Sequence, residues 1–429
     1  MKFLSLDTNV RIRLIERFFT QIVGNSIQPF MVIYFSLTLG AKFAGVLIAF
    51  NVMLAFIAGF YGGYLSDQFG RRKVMIVSEL VRFVALLPML LESTSLFDSA
   101  IVVYFAMTIS SAAAGVSGPA GEALVIDSSN QEQRKYIYTL DYWLWNLSLL
   151  AGSLLGGFFF KENRMILLSF LSLMSLLSLC ILIFLIKDRQ NCMNSKSNIP
   201  KKRFGRQLLN NYRTVSTDSI FLLFLAASLL DLSVQTQTSN FIAVRLVHEV
   251  SEQTLFSLGN FSFVIDGYNL FGILNTLNAG IVILFTSIFS YFTKKMNSRY
   301  AIIAGMLLYT IGNSIISYET SSWVLLFMMA IVAIGELIYI PHKQALMADI
   351  IPDDKRGSYM ALNAITTRGA VMLGSMAVTL GAIFSKYILS IEIFLVGLAS
   401  CLLFSKLISA AHHAKGSRSN KTEANSVNL

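Results

Sequence analysis

About twelve stretches of this chain are long and apolar enough to cross a lipid bilayer, and that property removes most folds from consideration. Hydrocarbon offers no water to the backbone, so each stretch must satisfy its own N–H and C=O groups, which a helix does within one segment. The candidate cores are residues 16–38, 41–65, 74–93, 100–127, 137–160, 164–186, 218–247, 271–292, 300–317, 322–349, 358–385 and 388–410. The chain is 55% hydrophobic and 14% charged, outside the balance of soluble domains. The expectation is an all-α membrane protein of twelve transmembrane helices. The first span opens with Arg13, Glu16 and Arg17 instead of a short apolar region before a cleavage site, so it is expected to remain in the mature protein.

Basic residues orient the spans. With both termini on one face, that face carries 26 of the 34 Lys and Arg residues, while the other carries Lys42, Lys161, Arg164 and Lys386. Both termini are therefore expected in the cytoplasm, with the protein in the cell membrane. This topology accounts for the net charge of +10 without a nucleic-acid partner. Cys180, Cys192 and Cys401 are scattered through spans and a cytoplasmic segment, which implies no disulfide framework.

A repeat divides the chain. The pattern P-x3-A-L-x2-D-x4-[DE]-x-R runs from Pro119 to Arg134 and again from Pro341 to Arg356. Each copy leaves an apolar span for a charged loop, as in the duplicated halves of many transporters. Residues 187–217, with Lys201, Lys202, Arg203 and Arg206 among Asn and Ser, form the longest polar interruption. The expected organisation is an N-terminal six-helix bundle (1–186), a cytoplasmic linker (187–217), a C-terminal six-helix bundle (218–410) and a disordered cytoplasmic tail (411–429). An external break from Glu249 to about Phe271 reads as a long loop or a segment on the bilayer surface.

Between spans two and three lies Gly63-Tyr-Leu-Ser-Asp67-Gln-Phe-Gly70-Arg71-Arg72-Lys73. Gly70 permits a tight turn and Gly63 a close helix approach. Asp67 can accept hydrogen bonds from a neighbouring helix N-terminus. The string resembles the signature loop of the major facilitator superfamily, G-x-L-x-D-x-x-G-R-[RK]-[RK]. The stretches Ile126–Trp143 and Gly335–Tyr359 resemble its twelve-span multidrug:proton antiporters. The resemblance implies two pseudo-symmetric six-helix bundles, a cytoplasmic latch at Gly63, Asp67, Gly70, Arg71 and Arg72, and export of lipophilic or cationic compounds in exchange for protons. The second half keeps Lys294, Lys295 and Arg299 at the equivalent loop but lacks its Gly and Asp, so any latch is asymmetric. Gly152-x3-Gly156-Gly157 resembles part of an antiporter motif without its proline.

Carboxylates inside spans cost about 2.5–3.5 kcal/mol at the bilayer centre and persist where they face a cavity or a partner. Glu336 and Asp231 fall near mid-span, and Asp141 about one turn inside span five. These three are the proton-coupling candidates, because a low-dielectric cavity favours the neutral carboxyl and lets it exchange a proton. The competing reading for Glu336 is a salt bridge to Lys343. Helical spacing aligns Asp141 with Trp145 and Ser148, Asp231 with Gln235 and Thr238, and Glu336 with Tyr339 and Lys343. Arg17, Gln21, Asn25 and Gln28 share a face of span one. Gln21, Asn25, Gln28, Trp145, Gln235 and Tyr339 are thus expected to line a common cavity. Glu79 and Arg82 are spaced to pair with each other, and Asp127 and Asp349 with Arg134 and Arg356. Arg368 suits an acid or an anionic substrate group.

No G-x4-G-K-[ST] phosphate loop, G-x-S-x-G elbow or Cys/His metal spacing occurs, so neither enzyme activity, a cofactor nor a metal is expected. The reading is a monomeric secondary exporter driven by protons. Rivals are a lysolipid or glycolipid flippase of the same fold, a nutrient symporter, and a transport-inactive receptor or scaffold.

Overall fold

A computed structural model describes residues 3–94, 99–187, 217–293, 296–352 and 356–427. The linker 188–216, Lys294, Lys295 and Asp354 lie outside the described residues, as does the side chain of Arg356. The backbone requirement is met as the apolar pattern demands, by helices that account for nearly all the described chain. The first half holds α1 (Thr8–Leu39), α2 (Ala41–Phe69), α3 (Arg71–Glu92), α4 (Ala100–Asp127), α5 (Gln131–Phe159) and α6 (Arg164–Phe184). The second holds α7 (Ser219–Glu249), α8 (Gly267–Thr293), α9 (Ser298–Ile316), α10 (Ser322–Ile350), α11 (Arg356–Ser375, continued by Ala377–Gly381) and α12 (Lys386–Val427).

Ten of these are apolar enough by composition to cross a membrane; α5 and α11 are not. Both carry polar residues along their length, Asp141 and Asn146 in α5, Asn363, Thr366, Thr367 and Arg368 in α11. The two helices occupy equivalent places. In the first half α1 packs on α5 and α6, α4 on α2 and α3, and α3 on α6; in the second, α7 packs on α11 and α12, α10 on α8 and α9, and α9 on α12. Adding six to each helix number converts one set into the other, which is the pseudo-symmetry of two six-helix bundles. The halves meet through α5 against α8 and α2 against α11, contacts that the same operation exchanges.

Small residues make the cross-half contact close, as expected where lipid supplies no hydrophobic drive between helices. A Cβ on Gly157 of α5 would come within 2.9 Å of the Gly272 Cα of α8. Beside them Phe30 of α1 stacks on Phe160 at 5.5 Å and meets the edge of Phe271 at 5.6 Å. Three hydrogen bonds between halves fall at helix ends away from the termini, Lys161 to Asp266 (2.7 Å), Asn269 to the Gly157 carbonyl (3.0 Å) and Thr379 to the Lys42 carbonyl (2.9 Å), and a longer one, Thr276 to the Leu150 carbonyl (3.5 Å), lies deeper in α5.

Two expectations are corrected here. The external break contains an antiparallel hairpin, β1 (Gln253–Leu258) and β2 (Phe261–Ile265), with Phe256 opposite Phe263. Aromatic and β-branched residues on either side of the two-residue Gly259-Asn260 link favour that pairing. The tail continues α12 to Val427 instead of leaving it. Extending an existing helix needs no new nucleus, and no proline stops this one.

Candidate functional site

The two halves enclose a cavity of about 710 Å³. The polar face of α1 supplies Arg13, Glu16, Arg17, Gln21, Asn25 and Gln28, α2 adds Phe56 and Phe60, α4 Glu122, α5 Trp145 and α11 Arg368. A smaller chamber of about 250 Å³ adjoins it, sharing Gln28 and Arg368 and adding Asn51, Asn240 and Ser375. Of the cavity residues expected from sequence, Gln21, Asn25, Gln28 and Trp145 are thus brought together. Ser148 ties three of these helical turns, accepting from Asn25 at 3.2 Å and donating to Gln21 and to the Trp145 carbonyl. Gln235 and Tyr339 go elsewhere: Gln235 is exposed, while Tyr339 is 5% exposed and turned to Asp231.

On the first half's wall every described carboxyl has a guanidinium. Arg13 pairs with Glu16, which also accepts from Ser178. Arg17 reaches Glu122 at 2.7 Å and Asp141 at 3.1 Å. Arg82 pairs with Glu79 at 2.9 Å, as the i, i+3 spacing predicts, and Ser175 donates to the same carboxylate. Such pairs offset the cost of removing charge from water only when both partners are present.

The second half is built differently. Lys343 of α10 reaches across to Asp231 of α7 at 2.5 Å, and the Tyr339 hydroxyl donates to the same carboxylate at 3.2 Å. The Glu336–Lys343 salt bridge is therefore not formed, because both basic and phenolic neighbours of Glu336 on its own helix turn to α7. Glu336 is buried and accepts one hydrogen bond, 3.1 Å from Asn278 of α8, with no cation beside it among the described residues. Asn278 belongs to α8, the helix that packs on α5 of the other half, so this carboxyl is tied to a helix of the interface between halves. A second carboxyl, Glu392 of α12, is likewise held by an amide, Gln237 at 3.3 Å.

At the signature loop, Gly70 takes a φ of +90°, the left-handed turn that joins α2 to α3 and favours glycine. The close approach belongs to Gly62, whose added Cβ would lie 2.4 Å from the Val116 carbonyl oxygen; at Gly63 the space is open. One residue along a helix turns the side chain by about 100°, which moves Gly63 off the α4 contact. Asp67 is exposed and has no partner among the described residues. Arg71 pairs with Asp127 and donates to the Ala123 carbonyl at 2.5 Å, and Arg72 donates to the Ile183 carbonyl at 2.5 Å. Asp127 thus meets the loop arginine instead of Arg134, which donates to the Ile126 and Ser129 carbonyls at 3.2 and 3.5 Å.

Sequence reasoning missed Glu122, Asn278 and Glu392. Glu122 sits inside the repeat, three residues after Pro119, and that position was its signal. Asn278 and Glu392 fall inside apolar spans, where a polar residue at membrane depth was the cue. Outside the spans, the hydrogen bond to Asp266 holds the Lys161 ammonium above the usual lysine range.

Comparison with known proteins supplies the family. The model described as Major Facilitator Superfamily matches residues 15–266 and 265–427. A Na(+), Li(+), K(+)/H(+) antiporter of Planococcus maritimus is 23% identical over 393 residues, covering 90% of this chain and 92% of that protein. A class C tetracycline resistance protein of Escherichia coli is 23% identical over 346 residues, covering 79% and 80%. Among solved structures, a POT family transporter in complex with a thioalcohol-conjugated peptide superimposes with a TM-score of 0.71 at 15% identity, over 94% of this chain and 99% of the other.

Proposed function

This chain belongs to the major facilitator superfamily and is a multi-pass membrane transporter, not an enzyme, and from that premise we propose that it is a proton-coupled antiporter exporting lipophilic small molecules by alternating access. The observation that carries the proposal is Glu336: buried, held by a neutral amide, and without a counterion among the described residues. An ionised carboxyl there is an uncompensated charge, whereas the neutral form needs no partner. The group is suited to take a proton in one conformation and release it when the cavity rehydrates in the other. Asp231 and Asp141 are the further proton-coupling candidates, each bound to a cation that would compete for the site with a proton.

The lipophilic part of the reading is supported by Phe56, Phe60 and Trp145 on the cavity wall. The expected cationic part draws on Glu16 and Glu122, both of which already hold an arginine. A cation/proton antiporter and a tetracycline resistance protein among the relatives support proton coupling. The basic loops place the termini in the cytoplasm of the cell membrane, and the closed helix ends opposite the termini then correspond to an inward-facing state of a monomer. In the opposite state, Asp67 gains a partner and the loop Gly63–Arg72 acts as the latch.

The test is efflux from proteoliposomes under an imposed pH gradient of two lipophilic probes of opposite charge, ethidium and pyrenebutyrate, transport of either one counting. Gradient-driven efflux in the wild type that is lost in Glu336→Gln supports the reading; coupling retained in the variant removes its central residue.

A further inference from the structure

We infer that the transported molecule is an amphiphilic anion, and that Arg368 of α11 is the residue that binds its charged group. The inference rests on the exporter reading and names its cargo. Four guanidinium groups line the main cavity, and three of them are spoken for: Arg13 by Glu16, Arg17 by Glu122 and Asp141, Arg82 by Glu79. Arg368 has no hydrogen bond or ion pair among the described residues. The carboxylates around this cavity are gathered on Arg13, Arg17 and Arg82, so among the described residues Arg368 is the lining guanidinium without one beside it, and a cationic group placed there would meet it uncompensated.

Arg368 stands where the two chambers join. The smaller one, about 250 Å³, presents Gln28 and Asn240 beside it, amides that no other described residue engages. The larger offers Phe56, Phe60 and Trp145. A guanidinium flanked by neutral donors fits a carboxylate or phosphate through its planar fork, and an aromatic wall next to it fits an apolar body. Arginine inside a membrane domain is costly unless it faces water or a partner, and here the partner is supplied by the cargo. The position also suits coupling. Arg368 belongs to the second half and Phe56, Phe60 and Trp145 to the first, so the bound molecule bridges the two bodies that must move relative to each other.

The experiment measures binding of pyrenebutyrate, its methyl ester and pyrenebutylammonium to the full chain in nanodiscs, by energy transfer from tryptophan. The expected order is carboxylate, then ester, then ammonium. Arg368→Gln should weaken the carboxylate at least about tenfold and leave the ester within about twofold, and Arg368→Lys should recover part of the loss. Tighter binding of the ammonium, equal loss for carboxylate and ester, or no binding of the carboxylate overturns the inference. Displacement of pyrenebutyrate by lysophosphatidate but not lysophosphatidylcholine assigns the anion to a lipid; displacement by neither assigns it to a free organic acid. Proton flux in Glu336→Gln reports separately on the antiport reading, so a wrong cargo and a wrong mechanism give different results.

Discussion

The two halves share one helix arrangement and give different partners to the carboxyls inside it, although an arginine pair, Arg245 with Glu249 at 2.8 Å, also closes the outer end of α7. Around the first half's wall, Glu16, Glu79, Glu122 and Asp141 each hold an arginine. In the second half one carboxyl, Asp231, takes the lysine, while Glu336 and Glu392 are held by amides. A duplicated scaffold therefore sets where helices meet, and the side chains on it decide which partner each carboxyl receives. Removing the charge of an arginine-paired carboxylate strands the guanidinium, a cost that any proton exchange at Asp141 must meet. A carboxyl facing an amide has no such partner to strand.

That difference predicts its own largest effect. Glu336→Gln should reduce gradient-driven transport about a hundredfold or more, yet move the thermal midpoint by only about 2 °C, since Asn278 can donate to an amide oxygen as it does to a carboxylate. A midpoint lowered by 10 °C or more, measured on the purified protein, would make Glu336 structural and erase the contrast. The paired site should behave in reverse. Lys343→Met leaves Asp231 buried beside a tyrosine hydroxyl alone and should cost about 3–5 kcal/mol. Adding Asp231→Asn removes the stranded charge and should restore most of it. Failure of the second change to rescue the first, in a double-mutant cycle of unfolding free energies, would show that the lysine acts through packing.

Most of the architecture was legible because its cause is general: every apolar stretch of the length of Ala41–Phe69 or Ser322–Ile350 must close its own hydrogen bonds, so ten of the twelve helices follow from composition, while α5 and α11, polar along their length, do not. The face of a helix was legible too, which is why Gln21, Asn25 and Gln28 meet in one cavity. What lies opposite that face was not. Spacing puts Lys343 two turns from Glu336 on α10, but the rotation of α7 against α10 decides that its ammonium goes to Asp231, and rotation is set by packing across helices far apart in sequence. The same holds for Asp127, which local spacing assigns to Arg134 and tertiary packing gives to Arg71. The hairpin was readable from Gly259-Asn260, a short signal beside long apolar ones.

A smaller effect sharpens the comparison at the loop present in one half only. Gly62 abuts the Val116 carbonyl, and Gly63 faces open space. Gly62→Ala should therefore cost about 1–3 kcal/mol through overpacking. Gly63→Ala, one residue on, should be neutral or gain up to about 1 kcal/mol from helix propensity. No loss in Gly62→Ala would mean that the α2–α4 contact is looser than the 2.4 Å approach implies, and a loss in Gly63→Ala equal to that in Gly62→Ala would mean that Gly63 is crowded in another state.

The smallest effect lies where the halves touch. Lys161 and Asp266 join them at 2.7 Å on the surface, with the lysine 43% exposed. Water and salt screen such a pair, so its worth is about 1 kcal/mol or less. The sign with pH follows from the lysine, whose ammonium is held above its usual range by Asp266. A cation favoured by folding stabilises fully below its unfolded value of about 10.4, and the contribution fades only as pH climbs past the raised value. Closure of this contact should consequently not titrate through Lys161 between about pH 6 and 9. Lys161→Gln should shift the balance between inward- and outward-facing states about fivefold at most, and spin labels placed on α5 and α8 would measure it. A transition near neutral pH that survives Lys161→Gln does not come from this contact, and one that survives Glu336→Gln as well passes the role to Asp141, Asp231 or Glu392, which single amide variants separate.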